Sequence, residues 1–112
     1  MTAPRLERRF ILEARGDASD GAGGRTEVWR ALGTLWGALL PRGGGDQRGP
    51  AGTLSHGRYR ILIRAVPEGS AARPRAGQRF ALGTRRFAIL AVTEDDLQGR
   101  YLAATVEEEF AA

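Results

Sequence analysis

The sequence has no cysteine, no lysine and no asparagine, and it has a single histidine, His56. The first absence excludes disulfide staples, thiolate zinc sites and cysteine nucleophiles, so the fold must stand on packing alone. A lone histidine without cysteine also argues against a metal centre, which needs several convergent ligands. Long hydrophobic runs are missing as well: no stretch approaches the roughly 20 apolar residues that cross a bilayer as a helix. The segment after Met1, Thr2-Ala3-Pro4-Arg5-Leu6-Glu7-Arg8-Arg9, contains no apolar run of the signal-peptide type. What is present is 112 residues with 42% hydrophobic and 27% charged content, which fits one globular domain spanning 1–112. All 17 basic residues are arginine, and the net charge is +4. Together with abundant glycine and alanine, this is the bias of a GC-rich genome, so the basic balance only weakly favours nucleic acid or acidic protein partners.

Period-two patterning dominates. From Leu6 to Ala14, Leu6, Phe10, Leu12 and Ala14 share one face while Glu7, Arg9 and Glu13 share the other, which predicts a half-wet strand. The polar, glycine-rich Gly16–Arg25 reads as a loop. Thr26–Leu32 and Thr34–Leu40 carry Trp29 and Trp36 and read as two strands with a bend at Gly33, closed by Pro41. A helix over 27–40 competes, but Gly33, Thr34 and Gly37 disfavour it. Ser55–Val66 is the clearest strand: Tyr59, Ile61, Ile63 and Ala65 face one way, and Arg58, Arg60, Leu62 and Arg64 the other. Gln78–Leu82 and Arg85–Thr93 are joined by Gly83-Thr84, which suits a type II′ hairpin turn. Phe87, Ile89 and Ala91 oppose Leu90 and Val92, predicting burial on both faces of that strand. Glu94–Gly99 is a second hairpin connection, leading into a final strand at Tyr101–Glu107. Six or seven short antiparallel strands with long Gly-rich loops and no strong helix predict an all-β fold, a small closed or nearly closed β-barrel.

Chemistry-bearing patterns are sparse. Gly43-Gly44-Gly45 is not a P-loop, because that motif ends in Lys-Ser or Lys-Thr. Gly21-Ala22-Gly23-Gly24 does not lead from a strand into a helix as a dinucleotide site does. Ser55 and His56 are strand neighbours pointing to opposite faces, and Asp95-Asp96 suits a turn better than paired catalytic carboxylates. No catalytic, cofactor-binding or metal-ligating residues are expected. Trp29, Trp36, Phe80 and Phe87 read as core aromatics. The arginine stripe Arg58/Arg60/Arg64 admits two readings: contact with phosphates or an acidic partner, or cross-strand pairing with Glu7, Glu13 or Glu107. The long segment Arg42-Gly43-Gly44-Gly45-Asp46-Gln47-Arg48-Gly49-Pro50-Ala51-Gly52-Thr53-Leu54 has six glycines and prolines in its first eleven residues. A compact domain seldom keeps such a loop without a use for it, the alternative being a merely tolerated surface loop.

Taken in order, Arg9-Phe10-Ile11-Leu12-Glu13, Gly23-Gly24 before Thr26-Glu27-Val28-Trp29, Trp36-Gly37-Ala38-Leu39-Leu40-Pro41-Arg42, Ser55-His56-Gly57-Arg58-Tyr59-Arg60-Ile61-Leu62-Ile63-Arg64, Gly77-Gln78-Arg79-Phe80 and Arg86-Phe87-Ala88-Ile89 resemble the head-tail adaptor proteins of long-tailed phages and gene transfer agents, also called head-completion, head-tail joining or stopper proteins. The extra Gly43–Gly45 and Gly57 depart from the family pattern. The resemblance spans nearly the whole chain and implies a non-enzymatic, cofactor-free virion structural protein of the particle neck, made and assembled in the bacterial cytoplasm. It implies a sixfold or twelvefold ring of copies that retains packaged DNA. Its implied partners are a head-side adaptor ring, a tail terminator or tail tube, and DNA passing through the channel, with no membrane. Arg42 to Leu54 matches the loop that projects towards the channel in several members. The alternatives are a small nucleic-acid-binding barrel, or another neck component such as an adaptor or tail terminator.

Overall fold

A computed structural model describes residues 5–19, 21, 23–41, 57–96 and 98–109. Six strands form: β1 (Arg8–Ser19), β2 (Arg25–Pro41), β3 (Arg58–Arg64), β4 (Arg79–Leu82), β5 (Arg85–Glu94) and β6 (Tyr101–Glu109). They are antiparallel throughout and close into a barrel in the order β1-β2-β3-β6-β5-β4. Closure rests on a short seam in which Ile11, Leu12 and Glu13 face Ala81, Phe80 and Arg79. Among the described residues there is no helix.

On β1 and β3 the inward positions are those that the alternation marks. Phe10 and Leu12 of β1, Ile61 and Ile63 of β3, Phe80 of β4, Phe87 and Ile89 of β5, and Leu102, Ala104 and Val106 of β6 form one buried cluster. Phe10 and Phe80 meet edge to face across the β1–β4 seam, with ring centroids 5.5 Å apart. Tyr59 and Phe87 do the same at 5.7 Å. The Gly83-Thr84 connection is a two-residue hairpin closed by the Leu82–Arg85 pair. Gly83 has φ +60°, as the first central position of a type II′ turn requires.

Four sequence-based expectations are corrected. Gly16–Arg25 is not a loop throughout: β1 continues to Ser19 and β2 starts at Arg25, paired in register down to Ser19–Arg25. This part of the hairpin extends beyond the strand partners β3 and β4, so backbone pairing alone defines it and no apolar periodicity announces it. Thr26–Leu32 and Thr34–Leu40 are not two strands but parts of one 17-residue strand. A bulge absorbs the irregularity, since Leu12 pairs with Gly33 and Glu13 with Ala31, leaving Leu32 as the extra residue. A second bulge lies in β5, where Ile89 pairs with Val106 and Ala91 with Thr105. It turns Val92 towards the core and leaves Leu90 exposed, so β5 is not buried on both faces. Finally, neither tryptophan is a core residue: Trp36 lies on the outer surface, 56% exposed, and Trp29 is half-buried outside the core cluster.

Candidate functional site

The outer surface carries the polar chemistry. β3 alternates Tyr59, Ile61 and Ile63 inward with Arg58, Arg60, Leu62 and Arg64 outward. Leu62 is nonetheless buried among its neighbours, lying between Arg60 and Arg64 along the strand and opposite Ala38 and Ala103 across it. The three candidate arginines have separate fates. Arg58 Nε approaches Glu107 Oε2 at 3.4 Å, and the two residues are direct cross-strand partners. Arg60 Nη2 lies 2.5 Å from Asp95 Oδ1, reaching across the edge of β6 to the β5–β6 turn. Arg64 is exposed and has no carboxylate partner among the described residues. The pairing with Glu107 matches one of the partners anticipated; Glu7 and Glu13 take other arginines.

Two further ion pairs organise the surface. Arg79 Nε donates to Glu13 Oε1 at 2.6 Å, joining the β1–β4 seam, and its guanidinium stacks 4.0 Å from the Trp29 ring centroid. Trp29 belongs to the stretch of β2 beyond its pairing with β3, so this stack ties the projecting hairpin to the barrel. Arg85 donates from Nε and Nη2 to the two carboxylate oxygens of Glu108, at 2.8 and 2.9 Å. The Glu108 side chain is only 9% exposed. The hydrogen bond from Arg85 holds its carboxyl below the ordinary carboxylate range against the opposing effect of burial. Asp96 is held low chiefly by the backbone N–H of Arg100, with the Arg100 side chain adding to it. Asp95 and Asp96 thus serve turn and surface pairing. Among the described residues, no group of three or more His, Asp or Glu is placed to hold a metal ion.

The alternation of β3 did not point to the surroundings of Trp36. Trp36 is the cross-strand partner of Arg9 on β1, and the β2–β3 register places it beside Arg64. An exposed tryptophan thereby lies between two arginines on three adjacent strands. Only the register brings the three together, because they are distant in sequence. The segment Arg42 to Leu54, with Ser55 and His56, lies outside the described residues.

This arrangement defines a closed antiparallel barrel whose charged groups brace strands and whose outer face exposes Trp36 and Arg64. The chain belongs to the phage head completion protein family, whose model matches residues 1–109. It is 42% identical to a chain in the solved virion of a native gene transfer agent particle, covering 97% of this chain and 100% of that one with a TM-score of 0.74. The solution structure of protein SF1141 from Shigella flexneri 2a shares the fold, at 21% identity, 96% coverage of both chains and a TM-score of 0.67. No curated protein matches the chain.

Proposed function

We propose that this protein is a head-tail connector, a stopper, in the neck of a tailed phage or gene transfer agent particle. Copies form a ring that retains packaged DNA and presents the surface on which the tail docks. The observation that carries this reading is the full-length, 42% identical counterpart within a gene transfer agent virion. The architecture suits the role: barrel closure removes most sheet edges, so subunits can crowd around an axis without uncontrolled edge pairing. A ring of such barrels needs head-to-tail contacts that close by rotation. In this reading the segment 42–54 faces the channel, a role supported by the family resemblance and its glycine content. Of the three stripe arginines, Arg64 is the one available to a partner, because Arg58 and Arg60 already hold carboxylates.

The test is electron microscopy of particles assembled with and without the protein, alongside an assay of nuclease-protected DNA. Without it, heads are expected to lose DNA or remain untailed, and with it a ring is expected at the neck. Tailed, DNA-filled particles in its absence would refute the reading.

A further inference from the structure

β4 reaches β1 only at Ile11, Leu12 and Glu13, and β3 reaches β2 only from Gly37 to Pro41. Beyond those seams, residues 14–19 of β1 and 25–30 of β2 pair with each other as a two-stranded ribbon that projects from the barrel. Neither outer edge of the ribbon has a strand partner among the described residues. The two bare edges are of equal length, and neither stretch contains a proline, a lysine or a bulge, three of the devices that blunt a strand edge. Arg15, Gly16, Glu27, Val28 and Arg30 are all exposed, so the barrel covers neither face of the ribbon beyond the Trp29–Arg79 contact. Two strands without a covered face are marginal in water, and further strands are what stabilise them.

The register of the ribbon also leaves charge poorly matched. Asp17 and Glu27 are direct cross-strand partners, a like-charge pairing that is destabilising. Arg15 stands opposite Trp29 and forms its ion pair with Glu27 diagonally. A second ribbon beside the first resolves the mismatch. Let its β1 edge lie against this β2 edge, offset by two residues from the register within one chain. Its Arg15 then stands opposite Glu27, its Asp17 opposite Arg25, and its Ala14 and Gly16 opposite Val28 and Thr26. A stagger of this kind is what tilted strands adopt when a ladder curves round an axis. Strand direction agrees as well: β1 and β2 are antiparallel, so the next copy's β1 continues the alternation. A two-fold pairing of β2 with β2 would leave the β1 edge of both copies bare. Head-to-tail pairing satisfies both edges of every copy and closes by rotation.

We propose that the β1–β2 ribbons of successive copies join edge to edge, β1 of one copy adding to β2 of the next as an antiparallel strand. The ribbon and Pro41 lie at opposite ends of β2, so this ladder leaves free the end of the barrel from which the segment 42–54 departs. The inference rests on the ring proposed above and names the element that links its copies.

The absence of native cysteine allows a direct test by disulfide capture. Full-length Ala14→Cys and Val28→Cys chains, distinguished by a size tag, are oxidised separately, as a concentrated mixture and within assembled particles. Particles containing both are expected to yield a cross-linked dimer joining one chain of each kind, and neither chain is expected to cross-link alone. Gly16→Cys with Thr26→Cys repeats the test at the same offset; a Cβ added at Gly16 meets nothing within 4 Å. A Val28→Cys chain that cross-links to itself would show a two-fold contact and overturn the proposal. A ring seen by microscopy without cross-links from either pair would overturn this ladder while leaving the ring intact. Particles with neither a ring nor cross-links would remove both readings. A cross-link from either edge to a different particle protein would assign that edge to the other protein and overturn the proposal.

Discussion

Gly33 and Gly37 lie four residues apart on β2, and alanine at each position is expected to act in opposite directions. At Gly33 an added Cβ meets nothing within 4 Å, and the backbone is not left-handed. Alanine there restricts the unfolded chain, for a gain of about 0.4–1 kcal/mol. At Gly37 the same methyl would sit 2.7 Å from the Leu62 carbonyl oxygen, 3.0 Å from Ile63 Cγ2 and 3.1 Å from Phe10 Cε2. The Leu62 oxygen cannot yield cheaply, because Leu62 is paired with both Ala38 and Ala103 in the middle of the sheet. Phe10 cannot yield either, since its ring is fully buried against Phe80. Overpacking of this kind costs about 1–3 kcal/mol, which outweighs the gain in the unfolded state. The unfolded-state gain is common to both variants, so they should differ by the overpacking cost alone, about 2 kcal/mol at the middle of its range. For a domain of this size that separates their thermal midpoints by roughly 8–16 °C, at 4–8 °C per kcal/mol. Thermal unfolding followed by far-ultraviolet circular dichroism measures it directly. Equal midpoints for Gly33→Ala and Gly37→Ala would show that the β2–β3 approach is looser than described and refute the argument.

Acidification tests the Arg85–Glu108 pair. Because the folded carboxyl is held below its ordinary value of about 4.5, the pair stabilises the protein above that pH and loses its contribution as pH falls through the depressed value. Glu108→Gln should thus show a smaller loss of thermal midpoint than the parent protein between about pH 5 and pH 3, and an equal loss would contradict the assignment. Trp29→Ala removes the stack on Arg79, a contact worth about 0.5–2 kcal/mol. Hydrogen exchange should rise in Arg15, Gly16 and their β2 partners, while protection at Ile61 and Val106 is retained; uniform loss of protection would mean that Trp29 supports the whole core. Shortening the segment 42–54 changes loop-closure entropy by only about 0.6 kcal/mol per halving, so the thermal midpoint should move by a few degrees at most. Particles carrying that variant should leak DNA; normal DNA retention would remove the channel role, and a large drop in midpoint would reveal a core element.

Local pattern was enough for the all-β class, the inward and outward sets of β1 and β3, the Gly83-Thr84 hairpin and the family. Each is a local quantity: a period of two reports which face is apolar, and a glycine at a turn reports a backbone conformation. The Gly33 region was misleading because the Leu32 bulge interrupts its alternation, and Gly16–Arg25 for a different reason. A two-stranded ribbon outside the barrel has no core face, so its strands leave no apolar alternation to read. Register is not local. Whether Leu90 points out and Val92 in depends on one extra residue opposite the Val106–Thr105 step, which β5 alone does not disclose. The exposure of Trp36, the union of Arg79 with Glu13 and Trp29, and the meeting of Arg9, Trp36 and Arg64 were likewise decided only by tertiary pairing. Strand neighbours bring together residues tens of positions apart, and a bulge of one residue reverses every side chain that follows it.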